Sequence, residues 1–252
     1  MEEVFILENL NKKIFNEVTD GSFNSYKDFC NYLKYNNLQL EYFYIDIKNI
    51  INKVWYIEGF VIYPMINISK VFFEMFDLPK VIEARRELLL DLRNKREYVS
   101  MFSLLEKCFR ISYFLNLYKE LNSEEFIELF TYVYSNCEYN FDKLLEEDVM
   151  DKLRESKDTV KIKEILNKEF QIKDEIITIY RGEADNSTPY NKGAISWTLD
   201  YSIAKFFSNR FNAKNPKIYK AKVHINDILL FIDRENELLV ESENLIEVKL
   251  IN

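Results

Sequence analysis

The chain has 252 residues, of which 48% are hydrophobic and 15% aromatic, enough to bury one large core or two modest ones. Its net charge of −8 excludes a general electrostatic attraction to nucleic acid, although a local basic patch remains compatible with it. No apolar run reaches membrane-spanning length, since the run between Val54 and Ile68 is interrupted by Glu58 and Pro64.

The cysteines and the first residues predict a protein of a reducing compartment. Cys30, Cys108 and Cys137 lack the spacing of metal ligands, and any disulfide would leave one of them unpaired. Their helical surroundings are typical of small buried hydrophobic residues. The opening residues lack the charged-then-apolar form of a signal peptide. We therefore expect a cytoplasmic protein, with secretion or injection by a signal-independent route as the alternative.

The chain up to about Lys168 is predicted to be mostly helical. Apolar residues recur every three to four positions between Phe102 and Leu117. Ser123 is the predicted N-cap of the next helix, because acidic residues follow it in the first turn. The buried stripe of that helix comprises Phe126, Leu129, Phe130, Val133 and Tyr134. Shorter helices are predicted over 142–153 and 159–170.

Two stretches of this helical part allow alternatives. Residues 40–68 alternate only weakly, so strands and a buried helix both fit. Five cations between Arg85 and Arg96 resemble a basic patch, but the acids among them, such as Glu87 and Asp91, favour a solvated helix face.

After Gln171 the periodicity becomes that of strands. Short β-type runs alternate with turn residues and predict six strands, at 176–180, 194–198, 217–224, 228–232, 237–240 and 246–250. One helix interrupts them, and either Thr198 or Asp200 can cap it. Its predicted apolar positions are Ile203, Ala204, Phe206, Phe207 and Phe211. The pattern predicts an antiparallel unit, and the whole chain belongs to the α+β class.

We predict two domains, residues 1–168 and residues 169–252. The boundary lies in a charged region between Glu155 and Lys173 that contains neither Gly nor Pro. A flexible tether between the domains is therefore not expected.

Three short motifs follow one another in the second domain. Tyr180-Arg181-Gly182 lies at the end of the first predicted strand, Ser196-Trp197-Thr198 at the end of the second, and Glu235-Asn236-Glu237 at the start of the fifth. Each motif alone has an ordinary structural explanation: a strand-end arginine, a core tryptophan and a solvated turn. Their joint order at strand ends of one compact unit is the informative feature.

This order resembles the Arg–Ser–Glu class of ADP-ribosyltransferases, the family of the clostridial and related bacterial toxins. The sequence departs from the best-known pattern at Thr198, where many members have a second serine, and in having Trp197 between the two hydroxyls. The resemblance implies an antiparallel split-sheet catalytic core in residues 169–252, with NAD as its co-substrate. It does not extend to residues 1–168.

The resemblance also implies a role for each motif residue. Arg181, with Gly182 beside it, would bind the pyrophosphate of NAD, since a guanidinium can contact phosphate oxygens bidentately. Ser196 would orient the catalytic Glu237, and Thr198 would stabilise the pocket. The Glu237 carboxylate would contact the ribose and stabilise an oxocarbenium-like transition state.

Two further roles concern the acceptor and the nicotinamide. A glutamate at the place of Glu235 goes with arginine as the target in this family. Phe207 follows Ser196 on the next helix and would stack on the nicotinamide, with Phe206 as its rival. In an extended segment, the two-residue spacing would place Glu235 and Glu237 on one side.

We therefore expect a mono-ADP-ribosyltransferase acting on a macromolecule, with a protein arginine as the default acceptor and nucleic acid as an open alternative. An NAD glycohydrolase would use the same pocket and transfer ADP-ribose to water. A non-catalytic helical adaptor with a degenerate fold is the alternative from another class. The helical region would bind a partner or the substrate, as in several toxin relatives. The single histidine, His224, disfavours triad hydrolases and zinc enzymes, so no metal is expected.

Overall fold

The computed structural model describes residues 7–46, 54–137 and 141–251. These residues form two compact units. The first unit contains the chain up to Leu121 together with Glu128–Leu145, and the second contains Asn122–Ile127 together with the chain from Glu146 onward. Both units combine helices with an antiparallel sheet, which confirms the predicted α+β class.

The first unit has a four-stranded antiparallel sheet in the order β1-β2-β3-β4. Its strands are β1 (Leu7–Asn9), β2 (Phe43–Asp46), β3 (Val54–Glu58) and β4 (Val61–Met65). Its helices are α1 (Lys12–Val18), α2 (Tyr26–Tyr35), α3 (Lys70–Met75), α4 (Leu78–Asn94), α5 (Tyr98–Ser103) and α6 (Lys107–Leu117). Helix α7 (Ser123–Asn136) begins with residues of the second unit and ends with residues of the first.

The ambiguous stretch at 40–68 contains strands β2, β3 and β4, while residues 47–53 lie outside the described residues. Alternation is weak here because β3 begins with three consecutive buried residues, as expected of a strand covered on both faces. The hairpin turn between β3 and β4 contains Gly59, whose φ of +54° suits glycine.

The helix predicted at 159–170 is confirmed, whereas the one predicted at 142–153 is a 3-10 turn (Phe141–Leu145) followed by an α-helix (Glu147–Ser156), and the apolar recurrence between Phe102 and Leu117 spans the end of α5 and all of α6. For α7 the stripe is confirmed and the cap is corrected. The predicted stripe of α7 is buried throughout. The N-cap is Asn122 and not Ser123, since the Asn122 side chain accepts a hydrogen bond from the Glu125 N–H at 3.0 Å. The Glu125 carboxylate accepts one from the Asn122 N–H at 3.0 Å in return. This reciprocal pair is a capping box, in which asparagine takes the place of serine.

The cations at α4 form a solvated, charge-balanced face. Arg86 forms ion pairs with Glu58, at 2.6 Å, and with Glu83, while Lys95 pairs with Asp91 at 2.7 Å. These pairs support the predicted solvated helix face and not a basic patch.

The second unit has a six-stranded antiparallel sheet in the order β10-β7-β5-β6-β9-β8. Its strands are β5 (Ile176–Glu183), β6 (Ser196–Thr198), β7 (Lys217–His224), β8 (Leu230–Ile232), β9 (Glu237–Leu239) and β10 (Ile246–Leu250). Its helices are α8 (Glu147–Ser156), α9 (Thr159–Phe170) and α10 (Tyr201–Ser208). All six predicted strands are present, with ends that differ by up to three residues from the prediction.

This unit begins earlier in the chain than the predicted boundary at residue 169. Helix α9 contributes Ile162 and Leu166 to the same hydrophobic cluster as the sheet residues Ile179 and Leu238. The α8 residue Arg154 also forms an ion pair with Glu241 at 2.6 Å. Helix α9 therefore belongs to the sheet's own core and α8 is tied to the same unit by an ion pair, neither of which a composition change along the sequence reveals.

The sheet is divided between β5 and β6. Strand β5 pairs with β7 along its whole length, whereas its register with β6 consists of the single pair Tyr180–Thr198. Beyond Tyr180 the two strands separate, so strands β10-β7-β5 and strands β6-β9-β8 form two halves. The opening between the halves begins at the residues of the first two motifs.

Candidate active site

A cleft of about 150 Å³ lies where β5 and β6 separate. Every predicted site residue lines it: Arg181, Gly182, Ser196, Thr198, Phe207, Glu235 and Glu237. These side chains come from β5, β6, α10 and the turn that leads into β9. The fold therefore brings to one place three motifs that are far apart in the chain.

The Glu237 carboxylate is held by the Ser196 hydroxyl. Thr198 pairs with Glu237 in the register of β6 and β9. Because side chains alternate along a strand, Ser196, Thr198 and Glu237 share one face of the sheet. The Ser196 hydroxyl donates a hydrogen bond to Glu237 Oε1. This bond fixes the orientation of the carboxylate at the cleft.

The Thr198 hydroxyl ties the turn before β9 to the start of α10. It donates to the Glu235 carbonyl at 2.8 Å and accepts from the Asp200 N–H at 3.1 Å. The Leu199 N–H donates to the Asn236 carbonyl at 3.2 Å. Thr198 is buried, with 6% of its surface exposed, and it positions the loop that carries Glu235 through these hydrogen bonds.

The extended geometry predicted for 235–237 is wrong. Arg234–Asn236 is a 3-10 turn in which Glu235 has a φ of 67° and Asn236 a φ of 48°. Left-handed backbone at a non-glycine residue costs about 1–3 kcal/mol, and it persists where the surroundings impose it. Here the bonds from Thr198 and Leu199 impose it. Glu235 and Glu237 reach the same cleft because of this turn, and not through strand alternation.

Arg181 is enclosed and bonded to protein. Its side chain is 11% exposed, and its Nε donates to Glu183 Oε1 at 3.2 Å. Its two terminal nitrogens donate to the carbonyl oxygens of Ser196, at 2.8 Å, and Thr188, at 2.7 Å. Arg181 therefore ties β5 to β6 and to the loop between them. A guanidinium has further N–H donors, which are available for a ligand at the cleft.

Glu183 is a buried carboxylate that the sequence analysis did not identify. It is 5% exposed, and besides Arg181 it accepts a hydrogen bond from the Tyr190 N–H at 2.6 Å. It therefore anchors both the arginine and the far end of the loop 184–193. Its position two residues after Arg181 on one strand places both side chains on one face, a signal that was available in the sequence.

Gly182 lies where α10 crosses β5. A Cβ atom at this position would lie 1.8 Å from the Ala204 carbonyl oxygen and 2.6 Å from the Ser208 nitrogen. Both are backbone atoms, so neither can rotate away. The close approach of helix and strand therefore requires glycine. It also determines where α10 places Phe207.

Of the two phenylalanines considered for the pocket, Phe207 lines the cleft and Phe206 is 62% exposed. The predicted apolar positions Phe206 and Phe211 are therefore wrong as core positions. Helix α10 buries the small residues Ala204 and Ser208, because its close contact with β5 leaves no room for larger side chains. Phe211 lies beyond the end of α10.

A second recess of about 190 Å³ continues the cleft past Gly182, Ser187 and Phe207, which line both. The Arg210 guanidinium lies at the recess with its carbon 4.1 Å from the centroid of the Phe207 ring. This distance is typical of a cation–π contact. Arg210 was not among the predicted site residues, although an arginine three residues after Phe207 lies about one helical turn further on.

Two carboxylates at the edges of this region have pKa values lowered by hydrogen bonds. The Ser202 hydroxyl and N–H lower the pKa of Asp200, which caps α10. The N–H groups of Lys214 and Asn215 lower the pKa of Asp185. Both carboxylates are therefore ionised at neutral pH.

The described residues contain no cluster of His, Cys, Asp or Glu that could hold a metal ion. Cys30, Cys108 and Cys137 form no disulfide within the described ranges, and His224 is exposed at the end of β7. In the same described ranges, no helix has the length and apolar character needed to cross a membrane. Comparison with family models, curated proteins and solved structures finds no match to this chain. A functional interpretation therefore rests on the motifs and on the geometry of the cleft.

Proposed function

We propose that this protein is an ADP-ribosyltransferase that cleaves NAD at the nicotinamide–ribose bond and transfers ADP-ribose to a macromolecule. The observation that supports this best is the meeting of Arg181, Ser196 and Glu237 at the opening between the two halves of the sheet. Each motif is common by itself. Their convergence in one cleft, in the order of the family resemblance, is much less common.

The chemistry follows from the bond that breaks. Its electron pair goes to the nicotinamide nitrogen, and positive charge develops on the ribose carbon C1′. A fixed carboxylate stabilises such charge without reorganising, and the Ser196 hydroxyl fixes Glu237. The acceptor nucleophile then bonds to C1′ and releases a proton. Glu235, at the rim of the same cleft, is the second carboxylate and can accept that proton.

We assign the pyrophosphate to Arg210 together with Arg181. Three bonds hold Arg181 in the protein framework, so its main contribution is to keep the cleft open in the right shape. Arg210 faces the recess that continues the cleft, where the second phosphate of a dinucleotide would lie. Its stacking on Phe207 also supports the ring proposed to contact nicotinamide.

Arg210→Ala is expected to raise the dissociation constant for NAD by about tenfold or more, because hydrogen bonds to charged groups contribute about 1.5–3 kcal/mol. Lys163→Ala removes one exposed positive charge from α9 and is the matched control. Calorimetric titration with NAD measures both. Equal NAD affinity in the two variants would contradict the role assigned to Arg210.

Glu235→Gln is expected to lower transfer to the acceptor while slow NAD hydrolysis continues. Glutamine keeps the shape of the side chain, so the change removes mainly the charge. Labelled transfer and nicotinamide release should be measured side by side, with the exposed Glu243→Gln as control. A parallel fall of both reactions would mean that Glu235 supports the NAD site itself.

The proposed function itself is tested by incubating the full chain with labelled NAD and a cell lysate. Release of nicotinamide and transfer of label into macromolecules are expected. Protease and nuclease digestion of the products then separates a protein acceptor from a nucleic-acid acceptor. Intact NAD after incubation, with and without lysate, would overturn the proposal.

A further inference from the structure

The segment between α10 and β7 has a charge opposite to that of the whole chain. Residues 201–226 contain six Lys and Arg residues and no Asp or Glu, although the chain carries a net charge of −8. Lys205, Lys214, Lys217 and Lys220 are exposed, while Lys222 pairs with Glu247 at 3.0 Å. This segment of the second unit is therefore positively charged, and most of its cations are exposed.

Two phenylalanines are exposed in the same segment. Phe206 is 62% exposed and Phe211 is 91% exposed. Phe211 and Asn212 have φ values of 56° and 54°, so two successive non-glycine residues are left-handed. Phenylalanine rarely adopts such backbone, whereas asparagine adopts it readily. Exposed apolar side chains that form a contiguous patch mark interaction sites.

The two exposed rings line a shallow groove that is continuous with the cleft, and Lys205 and Arg210 are the cations that line it with them. Lys205, Phe206 and Phe211 line the groove, together with the amide side chains of Asn209 and Asn212. The groove shares Phe211 with the recess, and the recess shares Phe207 with the cleft. A polymer lying in the groove would therefore lead directly to Glu237.

We propose that this basic aromatic strip, defined by Lys205, Phe206 and Phe211, binds single-stranded nucleic acid. Bases stack on exposed aromatic rings whatever their sequence, and lysines neutralise the phosphates between them. The amides of the groove supply hydrogen bonds to base edges. A duplex hides the faces of its bases, so the strip selects single strands.

The strip also identifies the acceptor: single-stranded nucleic acid receives the ADP-ribose. This step rests on the proposed function, whereas binding to the strip does not. A protein arginine would bring a positive charge to a groove that already carries Lys205 and Arg210. Juxtaposed like charges are unfavourable, whereas phosphate is attracted.

Binding is tested with fluorescein-labelled single-stranded RNA and DNA of mixed sequence, roughly 20 nucleotides long and thus longer than a typical site. Anisotropy is measured on the full chain without NAD, over a range of salt concentrations. We expect the logarithm of the association constant to fall linearly with the logarithm of the salt concentration, with a slope of about −0.7 for each phosphate contacted. The same sequence as a duplex should bind more weakly.

Phe211→Gly removes the ring and suits the left-handed backbone, so it should weaken binding about fivefold or more without lowering the melting temperature. Lys205→Ala should reduce the salt slope by about 0.7. Matched controls in α9 are Val160→Ala, since Val160 is 68% exposed, and Lys163→Ala. Neither control should change binding.

Three results would overturn the proposal. One is the absence of binding to any single strand. Another is equal displacement of the strand by poly-glutamate, which would mean that the strip recognises charge alone, as for an acidic protein. The third is full displacement by NAD together with a raised KM for NAD in Phe211→Gly, which would place the ring in the NAD site.

The binding and cleavage assays distinguish failure of this proposal from failure of the proposed function. Binding of single strands without cleavage of NAD would support the proposal for the strip and refute the proposed transferase activity. Cleavage of NAD with all of the label on protein would support the proposed transferase activity and refute nucleic acid as the acceptor.

Discussion

Glu237→Gln is expected to reduce nicotinamide release from NAD by about a hundredfold or more while the fold stays intact. Removing one preorganised group that stabilises transition-state charge typically costs about 10²–10³ in rate. Glutamine has the same shape but no negative charge to stabilise the developing cation at C1′. It also retains an oxygen that can accept the Ser196 hydrogen bond, so the local geometry should persist.

The measurement is nicotinamide release under single-turnover conditions, compared with Glu243→Gln. Glu243 is an exposed carboxylate of the same unit and should give wild-type rates. The rate of nicotinamide release by Ser196→Ala should lie between the rates of these two variants, because the substitution leaves the carboxylate in place but removes the hydroxyl that orients it. Near-normal turnover by Glu237→Gln would remove the mechanism proposed for this cleft.

The six strands of the second unit could be predicted because each is a short apolar run between turn residues. Lys217–His224 and Ile246–Leu250 have the predicted limits. Such runs depend on local side-chain chemistry, which is present in the sequence. The membership of α9 in this core could not be predicted, because it depends on which face of the sheet Ile162 and Leu166 cover.

The sequence predicted which residues line the cleft, but it did not predict their backbone conformation or their hydrogen bonds. The motifs identified the side chains that line the cleft, since their order along the chain reflects their strands. The left-handed turn at Glu235 was missed because hydrogen bonds from Thr198 and Leu199 impose it, and these residues are distant in sequence. Arg181 was predicted to bind phosphate, and the sequence also places Glu183 on the same face of its strand, but it does not show that Glu183 is buried and bonded to Arg181.

The exposure of Phe206 illustrates the same limit on a helix. Apolar periodicity predicts that large residues face the core. In α10 the contact with β5 is so close that only Ala204 and Ser208 fit, and the large rings lie elsewhere. The helix is therefore held by backbone proximity at Gly182 and not by a stripe of large side chains.

Gly182→Ala is expected to lower the free energy of unfolding of the second unit by about 3 kcal/mol or more, at the upper end of the cost of overpacking. The new methyl group would lie 1.8 Å from the Ala204 carbonyl oxygen, so α10 must move away from β5. Phe207 moves with the helix and leaves the cleft. NAD cleavage should therefore fall as well, in the fraction of molecules that remain folded.

Gly193→Ala is the matched control for this change. A Cβ at Gly193 would meet nothing within 4 Å, but its φ of +87° disfavours alanine. That backbone effect should lower the free energy of unfolding by about 1 kcal/mol and should leave the contact between α10 and β5 unchanged. Urea unfolding followed by the fluorescence of Trp197, in a Trp55→Phe background, reports on the second unit, where Trp197 is buried. If Gly182→Ala is no more destabilising than Gly193→Ala, the close crossing of α10 over β5 is wrong. The placement of Phe207 in the cleft would then be wrong with it.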